Sequence, residues 1–141
     1  MERASKITSF FLFPAVIFLV HLGAKGAGLY EMFPKIDIPF HYLGGLSIAY
    51  MCAQVLSYLE SEKVTTALHK GLFLLLLLSL TATVAVCWEF VEFLSDQFLN
   101  TNLQPSIANT MQDQFLGIVG GGTWAVIYLK KEPKAASKPV I

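Results

Sequence analysis

Charged side chains are what this sequence has least of: ten basic and ten acidic residues, 14% of 141, where a soluble domain carries roughly 25%. Their sum is zero, so no net field gathers nucleic acid, and that partner class is set aside. Cysteine is scarce as well. Cys52 and Cys87 both sit in apolar runs with no CxxC pair, which excludes a secreted disulfide framework. Free cysteines in such runs behave as small hydrophobes, and a bridge between these two requires that their helices touch. No internal repeat is present, and the low-complexity stretch is confined to the Lys/Pro/Ala tail at 130–141. The glycine run GIVGGG lacks the following Lys-Ser/Thr of a phosphate loop.

What the chain has in quantity is apolar surface: 55% hydrophobic residues and a mean hydropathy of +0.58. Four apolar stretches, at about 7–23, 39–59, 72–94 and 107–129, each approach the roughly 20 residues that a helix needs to cross a bilayer. The expected fold is therefore all-α, a single-domain integral membrane bundle of four transmembrane helices. The second and fourth stretches are rich in small residues, as helices packed inside a bundle are. Arg3 and Lys6 before the first run are loosely signal-peptide-like, but the later spans need a partner, so we read it as a retained helix.

Lysine and arginine set the expected orientation. Arg3, Lys6, Lys63, Lys70, Lys130, Lys131, Lys134 and Lys138 fall on one side of the four-span arrangement, leaving Lys25 and Lys35 on the other. The positive-inside rule places both termini in the cytoplasm. Residues 24–37, between the first two spans, mix glycines with Leu29, Tyr30, Met32, Phe33 and Ile36, the composition of a segment lying in the interface.

Placed on that topology, the acids gather at one leaflet. Asp37 and His41 lie four apart at the outer start of the second span, and Asn109 and Asp113 four apart at the start of the fourth. Glu89, Glu92 and Asp96 form one stripe at the outer end of the third. Glu89 and Asp113 should lie roughly 8–9 Å below the membrane boundary at 1.5 Å per residue. With no lysine or arginine in the outer halves of these spans, carboxylates at such depth must be protonated, hydrated or bound to a cation. Carboxylate oxygens with one imidazole suit Mn, Fe or Zn, and oxygen-only ligation suits Mg or Ca. The expected ligands are His41, Glu89, Glu92 and Asp113, with Asp37, Asp96 and Asn109 in second rank.

Plainer readings compete. His21 reads as an interfacial anchor, Asp37 as an N-cap before Pro39, Asp96 as a solvated residue past a helix end, and Glu92 as near enough to the interface to reach water. Gly117-x-x-x-Gly121 reads as helix packing. Trp88, Trp124, Tyr42 and Tyr128 read as interfacial belt or bundle core, and His69 as a loop residue.

At these positions the chain resembles the YjdF-like family of small bacterial inner-membrane proteins, a family of unknown function. Its pattern is an Asp-x-x-x-His with following glycines, then Trp-Glu-x-x-Glu, then Asp-Thr-x-x-Asp before a glycine-bearing span. Here these read DIPFHYLGG, WEFVE and NTMQD followed by LGIVGGG. Asn109 stands where the family pattern has Asp, which weakens ligation there. More distantly the chain is similar to the VanZ-like membrane proteins, linked to glycopeptide resistance. The resemblance implies that the polar triplet belongs together and that the protein is a multi-pass protein of a bacterial inner membrane.

Three functions remain open on sequence alone. One is a divalent-metal-dependent enzyme acting on a lipid or lipid-linked substrate, with Glu89 or Asp113 as general base. A second is a cation- or proton-conducting component, for which the inner halves offer little beyond Ser57, Ser79, Thr81 and Thr83. A third is a non-catalytic accessory or scaffold. Membrane lipids and a second copy of the chain are the expected partners.

Overall fold

A computed structural model describes residues 2–131, and every described element is helical. Residues 132–141 lie outside the described residues, and with them Lys134, Lys138 and most of the expected basic tail. Four long helices, α1 (Glu2–Gly26), α3 (Asp37–Ser61), α4 (Lys70–Leu99) and α5 (Ile107–Lys131), contain the four expected spans and run past most of their ends. The segment between α1 and α3 folds as a one-turn helix α2 (Leu29–Met32) and a 3-10 turn at Pro34–Ile36. Gly28 enters α2 at φ 70°, a left-handed conformation in which a side chain would be strained.

Three segments, Lys6–Gly26, Pro34–Ser61 and Lys70–Leu99, are long and apolar enough to cross a membrane. The helix α5 is not among them, and the reason is local: its first two turns carry Asn109, Thr110, Gln112, Asp113 and Gln114. The same residues that bring chemistry to α5 dilute its hydropathy. Lipid as solvent also explains the outward faces, where Leu12, Leu19, Val20, Leu75 and Phe90 are exposed.

Helix α3 is the centre of the bundle, packing on α1, α4 and α5. Its inward face is built of small residues, Gly45, Ser47, Ala49, Cys52 and Ala53, all buried. Contact with α5 is backbone to backbone. A methyl group at Gly45 would collide with the Gly117 carbonyl, and one at Gly120 with the Tyr42 carbonyl. Gly121 and Gly117 make room for Thr81 and Ala85 of α4. Sequence reasoning assigned the Gly117/Gly121 pair to packing, and the structure places both in such contacts.

Below that crossing, Ala49, Cys52, Ala53, Phe73, Leu77 and Ala125 form the apolar core. Both cysteines are free thiols, Cys52 buried and Cys87 exposed. At the lysine-bearing end, Phe73 stacks on Tyr128 at 4.8 Å and the Lys6 ammonium lies 5.7 Å from the Tyr58 ring centre. There His69, expected to be an ordinary loop residue, caps α4: its Nδ1 accepts from the Gly71 N–H at 3.2 Å.

Candidate metal centre

The acidic end of the bundle is assembled around His41, one turn into α3. Its Nε2 lies 3.2 Å from Asp37 Oδ1 on its own helix and 3.8 Å from Asp113 Oδ2 on α5. Close approach of α3 and α5 at Gly45 and Gly117 is what brings the Asp113 turn so near; a bulkier pair would hold the helices apart. Helix α4 adds Glu89 and Glu92, three residues apart and therefore on one face, both buried.

The result is two triads that share the histidine. Ligand atoms of Asp37, His41 and Asp113 all lie within 4.8 Å of one another, and so do those of His41, Glu89 and Glu92. Bonds of about 2.1 Å to a divalent ion set neighbouring ligand atoms roughly 3–3.5 Å apart. Small side-chain rotations therefore close either triad onto an ion. Among the described residues the ion pairs of these carboxylates are with His41, so four acids face one imidazole. Charge balance at this depth calls for protons or a cation.

Each carboxylate is also held from behind, with one exception. Trp88 donates its indole N–H to Glu92 Oε1 at 2.9 Å. Gln104 donates to Glu89 Oε2 at 2.8 Å and to the Glu89 carbonyl at 2.9 Å, and the Thr110 side chain lies near the same carboxylate. The Asn109 side chain lies beside the Asp37 carboxylate. The exception is Asp113, which is 1% exposed and whose Oδ1 has no hydrogen-bond partner. A buried polar oxygen left so costs about 1–3 kcal/mol, more when charged. An ion or a ligand group in the cluster removes that cost.

Several expectations change here. Asp37 is not an N-cap: Ile36 occupies that position, no side chain caps the helix, and Asp37 is its first residue, turned to His41. It moves from second rank into a triad. Glu92 is buried, 7% exposed, and does not reach water at the interface. Trp88 is a positioning partner of Glu92 as well as an aromatic wall. Asp96 stands outside both triads with its oxygens committed to the following loop, accepting from Thr101 Oγ1 at 2.7 Å, Leu103 N at 2.7 Å and Gln104 N at 2.9 Å. Asn109 acts on Asp37 and belongs to neither triad. Thr110 stands within the NTMQD motif without a role of its own in the sequence, and Gln104 carries no signal there, because a loop glutamine before a proline has no helical register to place it.

His21 is an anchor, as expected of an interfacial histidine. Its Nδ1 lies 2.7 Å from the Tyr30 hydroxyl, and its ring stands edge-on to Tyr30, Phe40 and Trp88. Burial, with Asp37 nearby, pushes the Tyr30 phenol well above its ordinary value, so it keeps its proton and can donate to Nδ1. This contact fastens α2 over the end of α1.

A family model described as predicted membrane protein (DUF2238) matches residues 3–132. The chain belongs to this family. The match runs through all four long helices and every residue of both triads, so the DUF2238 region and the described fold coincide. No curated protein and no solved structure matches the chain.

Proposed function

We propose that this DUF2238 protein holds a divalent metal ion at the His41 cluster and acts there as an enzyme on a lipid or lipid-linked substrate. The observation that carries the reading is the pairing of a shared imidazole with a fully buried Asp113 whose Oδ1 lacks a partner. One nitrogen with several carboxylate oxygens suits Mn, Fe or Zn. His41, Asp113 and Asp37 would hold the ion with one of Glu89 and Glu92 beside them, and the other of these two, held by Gln104 or Trp88, would serve as the base that takes a proton from water. The bound ion would supply Lewis acidity at an ester or phosphodiester oxygen.

Four spans with both termini cytoplasmic are part of the proposal, as is the bacterial inner membrane of the YjdF-like resemblance. The antiparallel arrangement favours it, since Lys6, Lys63, Lys70 and Lys130 share one end and the acids the other. An enclosed site is favoured over a conducting path by the apolar layer of Ala49, Leu77 and Ala125 between the cluster and the lysine end.

The test is metal analysis of protein purified in detergent, alongside Glu89→Gln and Asp113→Asn. The expected result is stoichiometric metal in the parent protein and loss in Asp113→Asn without loss of helicity. Metal-free protein after growth and dialysis with each of Mn, Fe and Zn would sink the reading.

A further inference from the structure

Directly beneath the cluster lies a cavity of about 520 Å³, within the 300–1,000 Å³ of small-ligand sites. Its upper end is His41, Asp113 and the ring of His21, and below them the walls are apolar, from Ala15 and Phe18 of α1, Ile48 of α3 and Val84 of α4. The hydroxyls on the wall make no demand on an occupant: Ser47 donates to the Gly44 carbonyl at 2.8 Å and Thr81 to the Leu77 carbonyl at 2.8 Å. Below its polar end the wall therefore offers water no free hydrogen-bonding group.

The cavity is lined by both α1 and α4. Helix α1 packs on α3, and α4 packs on α5 and α3, but among the described residues α1 and α4 share no packed seam. They meet at the acidic end, where Phe18 and His21 stand edge-on to Trp88 at 5.9 and 5.6 Å. Below Trp88, in the four-span reading, the space between the two helices would face the hydrocarbon region of the membrane. A soluble substrate has no route through that gap, whereas a lipid chain is already on its other side.

We infer that this cavity is the seat of one acyl chain of a membrane amphiphile, entering sideways between α1 and α4 with its polar head at His41 and Asp113. The inference rests on the site reading above and gives it a substrate class. Apolar walls and a polar end with an unpartnered carboxylate oxygen together match an amphiphile, chain down and head up, and match neither an ion nor a sugar alone. The rim of His21, Phe40 and Trp88 lies where the chain meets its head group.

Photolabelling tests it with two probes that carry the same diazirine-bearing sixteen-carbon chain: a free fatty acid and a phosphatidylethanolamine. Gly44 lines the cavity and has no atom within 4 Å of the position its Cβ would take, so Gly44→Leu starts from open space and extends into the cavity. Ala15→Trp fills it from α1. Gly122→Leu, also in open space but away from the cavity, is the control. The expected result is label on cavity residues such as Ala15, Ile48 and Val84, reduced at least fivefold in both filling variants and unchanged in Gly122→Leu. Which probe labels more tells a free acid from a phospholipid chain. Label confined to outward residues such as Leu12 and Leu75, or undiminished in both variants, overturns the inference. Metal content of Gly44→Leu is measured in parallel and should stay at the parent level. A metal-free but cavity-labelled parent refutes the metal reading alone, and a metal-loaded parent without cavity label refutes the acyl seat alone.

Discussion

His41 Nε2 faces two aspartates, and a nitrogen in that position either carries a proton between the carboxylates or ligates a metal with the carboxylates beside it. The two states respond oppositely to acid. Protons and an ion compete for the same oxygens and the same nitrogen, so metal affinity should rise with pH, and a titration monitored by bound Mn should show release on acidification. Residues behind the ligands should matter less than the ligands themselves. Trp88→Phe removes the indole donor to Glu92, keeps the ring against His21, and should weaken metal binding by about 10–100-fold. Asp113→Asn should abolish measurable binding, since it removes the one carboxylate whose oxygen has no other partner. Competition with a chelator of known affinity checks both.

At the scale of helices, the site depends on how near α3 and α5 come. Gly45→Ala places a methyl group into the Gly117 carbonyl and should destabilise the protein by about 1–3 kcal/mol while moving Asp113 away from His41. Gly122→Ala, with open space around it, should be neutral or stabilise by about 0.5–1 kcal/mol, the difference between Gly and Ala within a helix. Thermal unfolding in detergent, followed by circular dichroism, separates the two. The loop after α4 works through Asp96: its carboxylate gathers Thr101, Leu103 and Gln104, and Gln104 in turn reaches Glu89. Asp96→Ala should therefore weaken metal binding without direct ligand loss. Helix periodicity made the stripes of Glu89, Glu92 and Asp96 and the Asp37/His41 pair legible in the sequence, because residues three and four apart must share a face. That same periodicity could not show which member of a stripe turns inward, which is why Asp96 ranked with Asp37 until the loop beyond α4 was seen to claim it.

For the whole molecule, composition was enough to name lipid as the solvent, and the glycines at 44–45 and 117–122 announced close packing. The pairing of Gly45 with Gly117 and the open seam between α1 and α4 were not legible, since both depend on which helix neighbours which. Orientation remains the part of the proposal that charge asymmetry alone supports. On a background without cysteines, Thr101→Cys should react with a membrane-impermeant maleimide added to intact cells and Thr65→Cys only after the membrane is opened; the reverse pattern would invert the topology.

The central claim is that His41 joins buried carboxylates around a divalent ion. Pulsed electron paramagnetic resonance on the Mn-loaded protein, with histidine labelled by ¹⁵N, reads that bond directly. The account predicts one directly coordinated histidine nitrogen whose coupling vanishes in His41→Ala and persists in His21→Ala. A Mn spectrum with no histidine coupling, or one that survives His41→Ala, would contradict it.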